Sequence, residues 1–571
     1  MITRRNLLLA LCLVALCGTL AAQKAASADL ILRNGRIYTS NSAQPWAEAL
    51  AIRGNRIVAV GGENDVARLR GPHTQVIDLG GRMAMPGILD SHIHFLSGSQ
   101  SLDQIYLDDA ETAAEIQRRV KQYAAAHPDR KWLLGRGWVY NVFRPSGLPT
   151  KDILDLVTSD RPVVLENYDG HSIWVNSKAL ELAGITHDTP DPKEGDLIVG
   201  TIVRDPATGE ATGVLKEEAV ELVTRVLPKP SREANLAALR AGMRLANQHG
   251  VTSVLNATGD EEEIRLYAEL HRRGELTVRT TTALGMEPKL TPKIFARYEN
   301  ARHRFRGPWV RAGVIKAFAD GVIESHTAGM LEPYSDEPST SGSTNYTPEQ
   351  FDGLVRELDR RGFQVITHAI GDRAIRMVLD AYEKSAAANG PRDRRFRIEH
   401  IENINPADIP RFGKLGVIAS MQPYHAYPEP NLDGIWARNV GEKRLPYSFA
   451  WHDIAAGGAR LSFGSDWPVV SLDPFIGLQN AVTRQRSDGN PPGGWVGRQK
   501  VTLEQALAAY TRDAAYAQFE EKIKGSLEPG KLADVIVLSQ DLFKIDPLTI
   551  SKTTVLLAVV DGKIVWRDPA F

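Results

Sequence analysis

"MPGILDSHIHFLSG" (residues 85–98) places two histidines, His92 and His94, two positions apart behind an acid and a short apolar run. In an extended strand, residues i and i+2 point to the same face. Both imidazoles would therefore leave a strand end on one side, able to chelate a single metal ion. The pair alone fits equally well a half-exposed strand end that happens to carry histidines. Whether the arrangement recurs along the chain decides the fold.

"AMPGILDSHIH" (84–94) is the first of eight apolar, β-branched runs. The others are "VTSVLNAT" (251–258), "VRTTTAL" (278–284), "AGVIKAF" (312–318), "FQVITHA" (363–369), "RFRIEHI" (395–401), "GVIASMQP" (416–423) and "RLSFGSD" (460–466). Helical stretches such as "EEEIRLYAELHRRG" and "PEQFDGLVRELDRRG" stand between most of them. Near-continuous apolar strands alternating with helices predict an α/β fold, a closed parallel (β/α)8 TIM barrel, with an open doubly wound sheet as the rival. Such barrels place their active sites at the carboxyl ends of the strands. Read there, the runs yield a ring: His92, His94, Lys316, His368, His400 and Asp466. The other ten of the 14 histidines, such as His249 and His271, fall mostly in helices or loops and read as surface residues.

Both chain ends read differently. Residues 29–82 carry short β-rich runs parted by Asn-Gly, Gly-Asn and Gly-Gly turns, and "GSLEPGKLADVIVLS" and "VLLAVVDGKIVWRD" repeat that style within 525–571. These segments predict hairpins that combine into one small β-sandwich, leaving 83–524 as the barrel. The interval from about 95 to 232 is too long for one βα loop. It reads as an insertion after the first barrel strand and contains a hairpin, "LIVGTIVRDPATGEATGVL".

Residues 1–28 combine a basic start (Arg4, Arg5), an apolar run from Leu7 to about Leu20 and the small-residue exit Ala26-Ser27-Ala28. This is the plan of a secretory signal peptide, and the run is short for a membrane span. "TRRNLLL" also resembles a twin-arginine export signal. A periplasmic or secreted protein is expected, with an uncleaved anchor as the alternative. The two cysteines, Cys12 and Cys17, both lie in this segment, so a mature chain would have no disulfide, thiolate nucleophile or sulfur ligand. Lys and Arg together number 68 against 69 Asp and Glu. No global field favours nucleic acid or an anionic membrane. The expected partner is a small molecule selected in a local pocket, and a homodimer is compatible with the sequence.

Four imidazoles and a carboxylate suit Zn²⁺ or a similar divalent ion. A lysine among them makes sense if its amine has reacted with CO2 to give a carbamate, which could bridge two ions. The pattern of HxH after strand one, Lys after four, His after five and six and Asp after eight resembles the amidohydrolase superfamily. "DGHSIWVNSKAL", "KAFADGVIESHTAGMLEPY", "HAIGDRAI" and "GSDWPV" resemble its third amidohydrolase group, which includes N-substituted formamide deformylases. The resemblance implies that His92, His94 and Asp466 hold a first metal and that His368 and His400 hold a second. It also implies that carboxylated Lys316 bridges one or two ions, expected to be zinc. A metal-bound hydroxide would attack a non-peptide C–N bond, with Asp466 moving the proton to the leaving amine.

Deaminases of this fold carry a Glu three residues after the strand-five histidine, where this chain has Gly371. The D-aminoacylase branch uses a cysteine ligand that a processed chain would lack. Same-fold hydrolysis of esters, lactones or cyclic amides is the alternative activity. A catalytically dead periplasmic binding protein is the alternative from another class. Candidate substrate-binding residues are Trp138 in "GRGW", Asp169 and His171 in "DGHS", Arg204, Glu217 and Asp320.

Overall fold

The computed structural model describes residues 27–144, 147–194, 197–198, 200–428 and 432–571. The export segment read over residues 1–28 lies outside the described residues except for its last two. Those two are built into the fold: the Ala28 N–H donates to Leu69 O (2.8 Å) and Thr74 Oγ1 donates to Ala28 O (2.6 Å). Among the described residues, no helix is long and apolar enough to cross a membrane.

Eight parallel strands form the central sheet in strict sequence order. They are β1 (Ile88–Ile93), β2 (Val251–Gly259), β3 (Arg279–Gly285), β4 (Val310–Phe318), β5 (Gln364–Ala369), β6 (Arg397–His400), β7 (Ile418–Met421) and β8 (Leu461–Phe463). The sheet closes just beyond the strand ends, where Asp466 N donates to His92 O (2.7 Å) and His94 N donates to Trp467 O (2.8 Å). The barrel interior is packed rather than hollow. Leu255, Ala257, Ala283, Val314 and Ile366 form one apolar layer, and Ser91 and Ser462 meet at 2.6 Å across the β1–β8 seam. The closed barrel, not the open sheet, is the arrangement found.

The sandwich does combine both ends of the chain. One sheet has four strands drawn from residues 30–78, and the other joins Arg36–Tyr38, Trp46–Ala47 and Met83–Pro86 to Val535–Leu538, Val555–Val560 and Lys563–Arg567. Leu32, Ile37, Leu50, Ala84, Val535, Val537 and Leu557 share the apolar core between them. This moves the boundary expected at residue 83. Met83–Pro86 pairs antiparallel with Val535–Val537, so the apolar run at 84–94 is two strands of two domains. Gly87 makes the junction possible, because a Cβ there would lie 2.3 Å from Thr252 Cγ2.

The insertion is a six-stranded sheet running from Ile105–Tyr106 to Ala211–Glu217, and Gly200–Arg204 and Ala211–Glu217 form its hairpin. It has an apolar core on each face, one around Trp138, Phe143 and Trp174 and the other around Ile173, Val175 and Leu215. The ends of the expected interval belong to the barrel. The helix Phe95–Ser101 packs on the helix Arg232–Gln248, and Gly242 admits Ser99 so closely that a Cβ would meet Ser99 Oγ at 2.0 Å.

Candidate metal centre

β1 delivers His92 and His94 to the carboxyl end of the barrel on one face, as the spacing requires. His92 is fully buried, and its Nδ1 lies 2.5 Å from Glu399 Oε2. Glu399 is itself clasped by Arg397 through Nε and Nη2, each at 2.9 Å. This ion pair inside the barrel fixes the imidazole and turns its Nε2 toward Asp466 Oδ1, 3.5 Å away. His94 Nε2 reaches the same oxygen at 3.2 Å. The other carboxylate oxygen, Asp466 Oδ2, lies 3.7 Å from His400 Nδ1 and 3.7 Å from His425 Nε2. Two ligand groups thus share one carboxylate: His92, His94 and Asp466, and His400, His425 and Asp466, each with donor atoms within 4.8 Å of one another. His400 and Asp466 hold left-handed backbone angles, φ 74° and 63°, a costly conformation for residues with side chains that concentrates at functional sites.

The placement differs from the expected ligand set at one position. The His368 ring lies 4.6 Å from that of His400, but His368 belongs to neither group. Its Nε2 sits 3.0 Å from Gly321 O and 3.5 Å from Asp320 Oδ1. His425, in the turn after β7, occupies the second group instead, and sequence reading missed it. Lys316 is 1% exposed; its Nζ has no hydrogen-bond partner among the described residues and lies 4.5 Å from the centre of the Phe318 ring.

The donors fit a divalent ion. Among the described residues, His92 Nε2, His425 Nε2 and Lys316 Nζ are all buried without a hydrogen-bond partner around Asp466, an arrangement that costs stability unless something else satisfies them. Their protonation is ligand-ready. Burial, helped by Lys316, lowers His92 to about 4 and, with neighbouring cationic groups, holds His368 and His400 well below the usual imidazole range. Burial alone would raise Asp466, yet His92, His94 and His400 hold it well below the usual carboxylate range. Burial also brings Lys316 down to about 8, toward the neutral amine that carbamate formation needs. Imidazole nitrogens and carboxylate oxygens are the donor types of Zn²⁺ sites.

A cavity of about 320 Å³ opens over these groups. The insertion forms part of its wall. His171 Nδ1 is held by Glu217 Oε2 (2.8 Å), and Thr327, from the loop after β4, holds the other Glu217 oxygen at 2.7 Å. Burial would lower His171, but the charges of Glu217 and Asp169 raise it to about 9. Asp169 accepts from Tyr140 OH (2.9 Å) and from His171 N (2.8 Å). Asp320 accepts three backbone N–H groups, from Gly329, Ile370 and Gly371 at 2.9–3.0 Å, and so ties the β4 loop to the β5 loop behind His368.

Four of the six expected substrate residues do not line the cavity: Glu217 and Asp320 stand behind it, holding His171 and the β5 loop, and Trp138 and Arg204 lie farther off. Trp138 is fully buried in the core of the insertion, and its indole N–H donates to Leu165 O at 2.9 Å. Arg204 spends its guanidinium on the carbonyls of Thr186, Thr189 and Gly209, stapling the hairpin. Neither lines the cavity. Sequence reading also missed Glu324 and Glu402, which do line it.

Residues 75–566 match the Amidohydrolase family. The chain is 35% identical over 551 residues to Protein LONG AFTER FAR-RED 3 of Arabidopsis thaliana, covering 94% of this chain and 91% of that one. It is 26% identical over 546 residues to the N-substituted formamide deformylase of Arthrobacter pascens, covering 94% and 97%. Among solved structures it resembles an uncharacterized metal-dependent hydrolase from Pyrococcus horikoshii, with a TM-score of 0.71 and 26% identity over 91% of this chain and 99% of that one. With its barrel, its two histidine groups and a match over most of its length, the chain belongs to the amidohydrolase family of hydrolases acting on carbon–nitrogen bonds.

Proposed function

We propose that the protein is an exported hydrolase of a non-peptide amide or formamide-type bond, dependent on one or two zinc ions. The observation that carries this reading is the set of unpartnered buried donors around Asp466 at the mouth of the barrel. His92, His94 and Asp466 would hold one ion; His400 with His425 or His368, after a small side-chain turn, would hold another. Lys316, as its carbamate, would bridge them. What bound zinc supplies is Lewis acidity, acidifying water and polarising a carbonyl.

The chain's own residues do the rest. Asp466, held ionised by its histidine neighbours, accepts the proton of the attacking water and returns it to the leaving nitrogen. Glu399 fixes the tautomer and direction of His92. Tyr168, Tyr424, Trp436 and Phe449 line the cavity and exclude water from it. The demand of an amine leaving group for a proton, which Asp466 can deliver, favours an amide over an ester or lactone. Deamination is disfavoured because a Cβ on Gly371 would lie 2.3 Å from Gly329 O. No acidic side chain fits at that position. The basic-apolar-small plan of residues 1–28 supports export to the periplasm or medium as a soluble protein acting on a small molecule, alone or as a homodimer.

The test is a hydrolysis screen of zinc-loaded enzyme against formamides, acyl amides, dipeptides, lactones and esters, with chelated enzyme as control. Metal-dependent cleavage of a formamide or acyl amide above all others is expected. Faster turnover of esters or lactones would overturn the assignment of the bond. A protein that binds no metal and cleaves nothing would be a binding protein on a dead barrel.

A further inference from the structure

Five carboxylates line the cavity beyond the metal centre, Asp108, Asp109, Asp169, Glu324 and Glu402, and the last three are each held by the polar tip of an aromatic ring. Tyr140 OH donates to Asp169 (2.9 Å), Tyr168 OH donates to Glu324 Oε1, and the Trp436 indole N–H donates to Glu402 Oε2 (2.7 Å). Asp169 has the His171 imidazolium beside it, but neither Glu324 nor Glu402 has a lysine or arginine partner among the described residues, and the imidazole nearest Glu402, His425, stands 3.8 Å away. The described lining contains no arginine, and its one lysine is Lys316, which the catalytic reading uses. Glu402 is 7% exposed. Neutral donors orient a buried carboxylate but leave its charge uncompensated. Burial first, then the charges of Glu402 and Asp169, push Glu324 up to about 8, so a cation seated beside it is what would keep it ionised at neutral pH. Aromatic faces border the same space, with the Trp436 and Phe449 rings 5.3 Å apart. Such faces attract cations and do nothing for anions.

The geometry points to a substrate-selecting subsite: the cavity takes amides whose far end carries a cationic amine or quaternary ammonium group, seated between Glu324 and Glu402 against the Trp436 and Phe449 faces. The inference rests on the amide-hydrolase reading for the bond cleaved, but not for the charge selected. It also disfavours a class, since a carboxylate or phosphate tail seated between Glu324 and Glu402 would meet like charge on both sides.

Two probes of the same shape separate the possibilities: the formamide of 2-(trimethylammonio)ethylamine and the formamide of 3,3-dimethylbutylamine, which carries a carbon in place of the charged nitrogen. Binding to zinc-loaded enzyme is measured by calorimetry, and kcat/KM is measured alongside it. The expected result is that the cationic probe binds about tenfold tighter or better. That ratio should fall toward one in Glu324→Gln and Glu402→Gln and survive in Glu324→Asp. Equal or tighter binding of the neutral probe overturns the inference, even if both amides are cleaved. So does a preference that persists undiminished in both Gln variants. A cation preference in binding without cleavage of either probe keeps the subsite and overturns the amide-hydrolase reading instead. Should a Gln variant not fold, as judged by circular dichroism, the wild-type pair and Glu324→Asp still decide the charge preference.

Discussion

Lys524 and Lys316 are buried at opposite ends of the same barrel. Lys524 donates to Ser253 near the start of β2 (3.1 Å) and pairs with Glu520 at 2.7 Å, while Arg311, near the start of β4, reaches the same carboxylate at 2.9 Å. Arg279, the first residue of β3, is likewise clasped by Asp534 and Asp561 at 2.8 and 2.7 Å, which bolts the barrel floor to the sandwich. Lys316, near the end of β4, has no hydrogen-bond partner among the described residues. Burial lowers both lysines, but only Lys524 is given a carboxylate in direct contact; Lys316 feels Glu399 and Asp466 from a distance. At the floor, buried charge is closed off and serves stability. At the mouth it is left open, and the fold carries an uncompensated cost where a ligand can remove it.

The strongest way to break this comparison is Lys316→Ala. It should lower kcat/KM by about 10³-fold or more, the scale of losing a central catalytic group, and should cost little stability, because the removed ammonium was unpaired. Formate or acetate should restore part of the activity by standing in for carbamate oxygens. Lys316→Arg should resist rescue, since guanidinium stays protonated and fills the space. Normal turnover with full metal content in Lys316→Ala would make Lys316 structural and the contrast empty.

Lys524→Met should do the reverse. Removing one partner of a buried pair costs about 3–5 kcal/mol, read as a shift in denaturant midpoint, while kcat per folded molecule stays at the wild-type value. A loss of activity with unchanged stability would merge the two ends of the barrel into one functional network.

The His171–Glu217 pair sharpens the comparison on the pH axis. His171 sits at about 9 in the folded chain, above its ordinary value near 6.5. Its contribution is therefore complete below pH 6.5, declines between 6.5 and 9 and is gone above about 9, on the order of 3 kcal/mol at its fullest. Glu217→Gln should be destabilised at pH 6 and close to wild type at pH 10. An equal difference at both pH values would show that the pair is not ionic. The smallest effect is reserved for Trp138→Phe. It should cost about 1–2 kcal/mol through lost packing and one lost hydrogen bond and leave KM alone. A KM shift of tenfold would return Trp138 to the cavity.

The strand ends were legible because strand periodicity and barrel closure are local rules applied eight times. His92 and His94 follow from alternation alone. Glu399 was hidden by the same rule: it shares a face with Arg397 inside the barrel, whereas its neighbour His400 reaches the centre only because its backbone turns to φ 74°. Nothing in a histidine announces that angle. His425, Glu324 and Glu402 lie beyond strand ends, where loop conformation, not periodicity, sets direction. Trp138 and Arg204 misled for a related reason. An aromatic or a cation in an insertion is as easily consumed by the insertion's own core and turns as offered to a ligand, and the insertion proved to have two cores of its own.

The pairing of Ala84–Pro86 with Val535–Val537 also sets a timetable. During synthesis the first barrel strand emerges hundreds of residues before the strand that anchors its entry, and hundreds before Asp466, which both histidine groups share. A nascent chain released before Val535 would have neither a finished sandwich nor a fixed approach to β1. The sandwich therefore cannot be completed until Val535 has been made, and the interval before it is the window in which chaperones or proteases would meet the entry to β1 unanchored.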